Sequence, residues 1–435
     1  MKYTKRIVIV GSGVAGINAA TKLVDNGYPG ELITIIDKGN DPHNRLPSEV
    51  MCGFAGAGAW SDGKLTYHTA IGGQLSKYCG EDKAMDLMKQ VVDNFTRFHP
   101  KPEEIFMSDP QEEPEFIKPY FGLRLFPVWH IGSNFLHEIA KSWYQYLVDK
   151  GVQFEWNIEI THVDFKDNYI VGVYNDKNCD YHYDELIFAV GKSGIDFAQK
   201  LADDYQLPNE PKSVQIGVRF EAPQKYFQKL IDISYDFKLY QKFDNVSLRS
   251  FCTNNNAAYV AVEETYGDVT YNGHAKKGEE FRNDMTNFGI LMEIKGIENP
   301  FEWSRDVVQK LQINGTGTYY SPNKTRQPGI TSENNTVSAI QVDTMDVLFN
   351  ALGEEYAQYI EDFITNMQTV FPEMGDDWGI YMPEVKYLSP EPLVDYTNLA
   401  LTEYPNIHFV GDALSARGIT VSGAHGIYVA EYLLS

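Results

Sequence analysis

The sequence predicts an α/β protein in two parts: a parallel-sheet domain assembled from both ends of the chain, and a largely antiparallel, β-rich α+β domain inserted between them. Three observations carry this expectation. Arg6-Ile7-Val8-Ile9-Val10 is a β-branched run that reads as a strand buried on both faces, and it leads directly into Gly11-Ser12-Gly13-Val14-Ala15-Gly16. Glu185-Leu186-Ile187-Phe188-Ala189-Val190-Gly191 and Ile407-His408-Phe409-Val410-Gly411-Asp412 repeat the pattern of an apolar strand that ends at glycine. From Ser213 to about Tyr387 the texture changes to strands rich in Tyr, Phe, Val and Thr. The expected domains are therefore residues 1–210 with 395–435, and residues 211–394.

The first turn is a GxGxxG, and each glycine has its own task. Gly11 permits the tight exit from the strand, Gly13 leaves out a Cβ so that backbone can approach a pyrophosphate, and Gly16 lets the helix lie close on the sheet. Val14, Ile17, Ala20, Leu23 and Val24 recur at helical spacing, and Asn26-Gly27 ends the helix. Free N–H groups of Ser12, Val14 and Ala15 and the positive end of the helix dipole then face the phosphates. A second strand, Leu32 to Ile36, closes with Asp37, 21 residues beyond Gly16 and placed to accept hydrogen bonds from an adenosine ribose. Lys38 beside it hints at a 2′-phosphate, which the Asp37 carboxylate would repel. Strand, turn, helix, strand and acid in this order predict a Rossmann-like dinucleotide-binding domain.

A second glycine-rich stretch follows, Gly53-Phe-Ala-Gly-Ala-Gly-Ala-Trp-Ser-Asp-Gly-Lys64. Glycines this dense mean that backbone turns repeatedly or approaches something flat, which in a flavoprotein is the isoalloxazine and ribityl chain. Gly58, Trp60, Ser61, Asp62, Gly63 and Lys64 are the expected contacts. Cys52 just before it is expected to be buried more than redox-active. Residues 81–98 read as an amphipathic helix, and the proline-dotted stretch from Pro100 to Pro127 as a long connector. Ser133 is a plausible N-cap for a helix carrying Phe135, Leu136, Ile139, Trp143, Tyr146 and Leu147. Strands Val152–Trp156, Ile158–Phe165 and Tyr169–Val173 form a small meander, in which Val163 is a candidate backbone contact for adenine. Ala189, Val190 and Gly191 bring the next strand back beside the nucleotide. Pro208 to Pro211 reads as a linker. Within the insertion, strands are expected at 214–220, 237–243, 246–252, 257–263 and 286–293, and helices near 302–312 and 354–370.

The C-terminal strand ends in Gly411-Asp412, followed by Arg417-Gly418-Ile419-Thr420 and an apolar helix to Leu434. Asp412 suits a ribityl hydroxyl, and the helix beginning near Gly418 and Ile419 can aim N–H groups at the flavin N1–C2=O edge, which becomes negative on reduction. NAD alone needs no such return of the chain. The cofactor expected is FAD, in a Rossmann-like FAD-binding domain that carries an inserted substrate domain.

Composition narrows the classes. A formal net charge of −23 over 435 residues repels nucleic acid and anionic membrane surfaces in general. No stretch approaches 18 apolar residues, and the first strand begins too early to leave room for a signal peptide, so a cytoplasmic protein is expected. Cys52, Cys79, Cys179 and Cys252 are widely spaced with no CxxC, which indicates neither a disulfide framework nor a metal site and speaks against disulfide reduction.

Gly11 to Asp37, Ala189 to Gly191 and Gly411-Asp412 together resemble the two-dinucleotide-fold superfamily of FAD flavoproteins, in the branch similar to glutathione reductase. Ala-Gly-Ala-Trp-Ser-Asp-Gly-Lys (57–64), His130-Ile131-Gly132 and Gly-Asp-Ala-Leu-Ser-Ala-Arg-Gly-Ile (411–419) resemble, more narrowly, a bacterial group of uncharacterised FAD-dependent, or NAD(FAD)-utilising, dehydrogenases. Two features depart from that group. Cys252-Thr253-Asn254-Asn255-Asn256 stands where many members have a Cys-Pro-Gly-Gly turn, and an extra N-terminal domain found in many members is missing. The resemblance implies an oxidoreductase that moves a hydride from a small-molecule substrate to flavin N5, with an unspecified external acceptor or donor. Lys64, His130 and Arg417 are the candidates for a general base or proton relay. His425, two turns into the last helix, is expected to be core. Alternatives are an amine or amino-acid oxidase or lyase, including one acting on a modified nucleotide, and a flavin-binding module without catalysis.

Overall fold

The structure is a computed structural model that describes residues 2–46, 49–109, 112–210, 213–265, 267–275, 282–328, 337–387 and 391–435. It divides into two compact units, Met1–Met107 with Val128–Pro211 and Ser389–Ser435, and Ser108–Pro127 with Lys212–Leu388.

The first unit is built on a six-stranded sheet. In spatial order its strands are Ala400–Leu401, Tyr404–Phe409, Glu185–Phe188, Ile7–Val10, Ile33–Asp37 and Gln153–Trp156. All neighbours run parallel except the first pair. Ile7, Val8, Ile9 and Val10 are all buried, as expected of a strand covered on both faces. The two ends of the chain meet here: Ile7–Val10 and Tyr404–Phe409 flank the same strand, Glu185–Phe188. Helix Val14–Asp25 packs on the last helix, Ile419–Leu434, with almost no side chain between them, since a Cβ on Gly426 would stand 2.0 Å from the Ala15 carbonyl oxygen. The three-stranded meander is Glu159–Asp164, Tyr169–Tyr174 and Lys177–His182. Its third strand and the helix Ile195–Asp204 were not expected from the sequence.

The inserted unit is a nine-stranded sheet, antiparallel except where Ile340–Val342 joins Thr316–Tyr320. Its central strand, Val214–Pro223, alternates in character: Ile216, Val218, Phe220 and Ala222 share one face, and Gln215, Gly217, Arg219 and Glu221 the other. Phe220, Phe227, Phe237 and Phe288 form an aromatic core, with Phe220 and Phe288 rings 5.0 Å apart. Helices Pro300–Lys310 and Glu354–Val370 agree with the expected ones.

Two expectations change. Residues 108–127 belong to the inserted unit, because Gly122–Arg124 pairs with Lys238–Lys242 at the edge of its sheet and Phe121 packs its ring on Phe363 at 4.8 Å. The described chain from Glu391 onward, instead of 395, belongs to the first unit, where Glu391–Pro392 pairs with Asn209–Glu210 of the expected linker. Pro211 and Pro110 lie outside the described residues. Among the described residues no helix is long and apolar enough to cross a membrane.

Candidate cofactor site

Three strands of the first unit deliver glycines to the same end of the sheet. The N–H of Gly11 donates to Ile36 O at 2.8 Å, Ala189 N–H to Val10 O at 2.8 Å, and Val410 N–H to Phe188 O at 3.1 Å. Gly11, at φ +104°, lies so near the neighbouring strand end that a Cβ would meet Ala189 O at 2.3 Å. Gly16 is equally constrained, with Gly11 O at 2.2 Å from its missing Cβ. Gly13 differs. A Cβ there would meet nothing within 4 Å, and Gly13 is the N-cap of the first helix with no side-chain cap. Open backbone at an uncapped helix N-terminus is what a pyrophosphate requires.

The C-terminal half comes close to this turn. A Cβ on Gly411, at φ +65°, would be 3.0 Å from the Ala15 Cβ. Asp412 Oδ1 is buried and accepts no hydrogen bond, having only the ion-pair approach of Arg417 Nε at 3.1 Å. The last helix starts at Ile419 with Gly418 as an N-cap that makes no side-chain bond. An unused buried acceptor beside a second uncapped helix start matches the ribityl and pyrimidine ends of a flavin, so the donor set fits FAD.

The three short motifs of the sequence are tied together. Lys64–Thr66 pairs antiparallel with Val128–His130, which sets Lys64 directly opposite His130. Gly63 O accepts from Ile131 N–H at 2.8 Å, and a Cβ on Gly63 would strike Gly132 C at 2.6 Å. Lys64 Nζ lies 2.7 Å from Asp62 Oδ2, both side chains largely buried. Further along, Thr420 Oγ1 donates to Thr66 O at 2.6 Å, and Arg417 N–H donates to Gly72 O at 2.5 Å. His130 is buried, and Phe106 stacks on its ring at 4.5 Å with 13° between the planes.

The second glycine stretch answers mostly to protein. The space of the missing Cβ is occupied by Asn40 O at 2.7 Å for Gly53, Gly13 Cα at 3.2 Å for Gly56 and Val14 Cγ2 at 2.4 Å for Gly58. These glycines let the stretch press against the first turn, so a flat ligand is not needed to explain them. Ser61 Oγ donates to Gly58 O at 3.3 Å and accepts from Gly63 N–H, closing the loop. Trp60 meets His137 edge-on at 4.4 Å, and its Nε1 is buried without a partner.

Three other expected contacts are engaged within the protein. Asp37 accepts four hydrogen bonds, from Ser12 N–H and Oγ and from the N–H groups of Gly39 and Gly53. Lys38 Nζ donates to Ser193 O at 3.0 Å. Val163 sits mid-strand, fully buried, and its carbonyl accepts from Tyr205 Oη at 2.9 Å, which uses one of its two lone pairs. Cys52 is partly buried, and burial pushes its thiol above the usual range, which keeps it from forming a thiolate. His425 is wholly buried with both ring nitrogens unpaired, and burial pulls it down to about 3, so it is a neutral core residue.

Arg45 was missed. It donates to the carbonyls of Glu49, Val50, Phe54 and Gly56, gathering the loop that carries the second glycine stretch, and burial lowers it to about 10. Its partners are all backbone oxygens, which leave no mark in residue types.

Comparison with known proteins agrees with the first unit. Residues 5–202 match the family model described as pyridine nucleotide-disulphide oxidoreductase. An uncharacterised protein of Clostridium beijerinckii is 24% identical over 308 residues, 64% of this chain and 50% of that protein, so the match spans half the length of that relative. Among solved structures, a flavoprotein/dehydrogenase from Cytophaga hutchinsonii aligns over 99% of this chain and 78% of its own at 10% identity and a TM-score of 0.42. CtdE in complex with FAD aligns over 98% and 82% at 8% identity and a TM-score of 0.38. At those scores the two structures are distant likenesses only. With the match over 5–202 and a site whose open backbone and free acceptor suit the dinucleotide, the chain is an FAD-binding protein of the oxidoreductase type of fold.

Proposed function

We propose that the protein is a cytoplasmic FAD-dependent dehydrogenase in which a small-molecule substrate gives up a hydride to flavin N5 and a proton to a side chain, with an external acceptor restoring the oxidised flavin. The observation that carries this reading is the approach of Gly411 to Ala15, which joins the two ends of the chain around one sheet edge with both helix starts uncapped. When bound, FAD supplies the redox chemistry; the chain binds, orients and manages protons.

Gly13 and the first helix start would hold the diphosphate, and Asp412 the ribityl hydroxyls. Of the three candidate bases, Lys64 and His130 stand opposite each other on paired strands, with Lys64 held by Asp62 and His130 covered by Phe106. A guanidinium offers a fork of donors and no acceptor, so Arg417 suits an anionic substrate group or the flavin edge better than the role of base. A small-molecule substrate is favoured over nucleic acid by the net charge of −23.

The test is to purify the protein, record its visible spectrum and bound FAD, and mix it anaerobically with NADH, NADPH and a panel of amines. Oxidised-flavin bands that bleach with one donor class are the expected result. Absence of flavin in the purified protein, together with failure to bind added FAD, would overturn the reading. Peroxide formed on admitting oxygen after bleaching by an amine would redirect it to an oxidase.

A further inference from the structure

The second strand ends in a carboxylate that stands where a dinucleotide fold meets the adenosine ribose, yet this one is already full. Asp37 Oδ2 accepts from Ser12 N–H at 2.8 Å and Ser12 Oγ at 2.7 Å, and Oδ1 accepts from Gly39 N–H at 2.8 Å and Gly53 N–H at 2.7 Å. A carboxylate offers about four acceptor positions, so none is left over. Only 7% of the residue is exposed. Three of the four donors are backbone N–H groups, which cannot swing away as a flexible side chain could.

Those donors come from three separate segments. Ser12 belongs to the phosphate turn, Gly39 to the turn after the second strand, and Gly53 to the start of the second glycine stretch. The segments also touch directly: Ala55 N–H donates to Ser12 O at 2.9 Å, and a Cβ on Gly39 would lie 2.4 Å from Gly53 N. Both contacts leave no room for a looser arrangement. An aspartate is one methylene shorter than a glutamate, which keeps its carboxylate back among these amides.

We propose that Asp37 is a positioning residue: it clamps the phosphate turn to the second glycine stretch, and the protein does not read the adenosine 2′-hydroxyl through it. The proposal rests on the FAD reading, and its consequence is that affinity for FAD comes from the diphosphate and flavin ends. A ribose hydroxyl bonded to a carboxylate would be a charge-assisted contact whose loss weakens binding tenfold or more.

The deciding measurement compares the wild-type apoprotein binding FAD and flavin 2′-deoxyadenosine dinucleotide, followed by quenching of flavin fluorescence. Affinities within about threefold of each other are expected; a tenfold preference for FAD would overturn the proposal. Asp37→Asn turns an NH₂ group either toward Ser12 N–H and Oγ or toward the Gly39 and Gly53 amides, so at least one amide loses its acceptor. It should speed hydrogen exchange at the Ser12 amide or at the Gly39 and Gly53 amides of the apoprotein, change the visible circular dichroism of the bound flavin, and weaken both dinucleotides alike. Unchanged exchange and unchanged dichroism in that variant would also overturn the proposal. Should neither dinucleotide bind the wild type, the FAD reading is what fails, and exchange in the two apoproteins still decides the role of Asp37.

Discussion

In the nucleotide-binding unit the polar groups collect where parallel strands end, whereas in the inserted unit they lie in the middle of a sheet. At the sheet edge Gly13 leaves open the space a Cβ would fill, and Asp412 Oδ1 accepts no hydrogen bond beyond the ion-pair approach of Arg417. Arg219, with no exposed surface, is by contrast surrounded: Nε and Nη2 donate to Asn287 Oδ1, Nη2 also to Cys252 O at 2.7 Å, and Nη1 faces Glu384 at 3.3 Å. Two glycines make space for that pair, since a Cβ on Gly273 would lie 1.7 Å from Arg219 Nη2 and one on Gly289 2.7 Å from Glu384 Oε2. One region keeps valences open for a ligand. The other uses up the guanidinium's donors within the unit, although Asn287 Nδ2 and Asn254 Oδ1 beside it are buried without hydrogen bonds, and a buried charge with every donor used is a structural element, however much it resembles a site.

The contrast breaks most visibly if the closed network is opened. Glu384→Ala takes the carboxylate away from the fully buried Arg219 guanidinium and from Lys386, whose Nζ lies 3.3 Å from Glu384 Oε1, and a broken buried pair costs about 3–5 kcal/mol. Replacing both members, Arg219→Met with Glu384→Leu, removes both charges and should cost less than the single change. Urea denaturation of the three proteins checks this order. A single variant within about 1 kcal/mol of wild type would show that Arg219 has other support.

The open end is sharpened by two substitutions three residues apart. Gly16→Ala places a methyl 2.2 Å from Gly11 O and 3.1 Å from the Ile9 side chain, an overpacking worth about 1–3 kcal/mol that appears already in the apoprotein. Gly13→Ala meets nothing within 4 Å, and Gly13 has φ −63° and ψ 179°, which alanine adopts freely. Apoprotein stability should therefore stay within about 0.5 kcal/mol, while FAD binds at least about tenfold more weakly because the methyl enters the space of the diphosphate. Thermal melts without FAD and titrations with it separate the two effects. Equal FAD affinity in Gly13→Ala and wild type would mean that the turn faces something else.

These differences also explain which features could be read beforehand. The tasks of Gly11, Gly13 and Gly16 follow from a strand, a turn and a helix contiguous in sequence, so local spacing was enough. Asp37 was recognised as the acid at the strand end, but its saturation depends on Gly53 folding back onto it, a long-range contact that residue types do not announce. Lys177–His182 is not legible as a strand because its alternate side chains are exposed and its Asn, Asp and His break the apolar pattern of a strand. Arg219 falls at an ordinary polar position of the expected strand 214–220, and Glu384 lies in a strand, Gly379–Lys386, that was not expected; the hairpin Ala258–Thr265 and Asp268–Ala275, whose Gly273 lies against Arg219, buries that face.

The smallest effect tests how the chain ends are held together. Glu431, near the end of the last helix, bonds Lys22 of the first helix at 2.8 Å and Lys83 of the Glu81–Arg97 helix at 2.5 Å. Burial alone would raise its carboxyl, but the hydrogen bonds from Lys22 and Lys83 outweigh it and the value falls below the usual 4.5. A carboxyl depressed in the folded state contributes stability that is complete above its unfolded value and is lost as pH falls through the folded one. With a quarter of the side chain exposed, solvent screening limits the contribution to on the order of 1 kcal/mol. Glu431→Gln should therefore be less stable than wild type by that amount at pH 7, and the gap should close as the pH drops below 4.5. Urea midpoints at pH 7, 5 and 3.5 measure it; a gap that persists at the lowest pH would assign the loss to packing of the glutamine instead of to the two ion pairs.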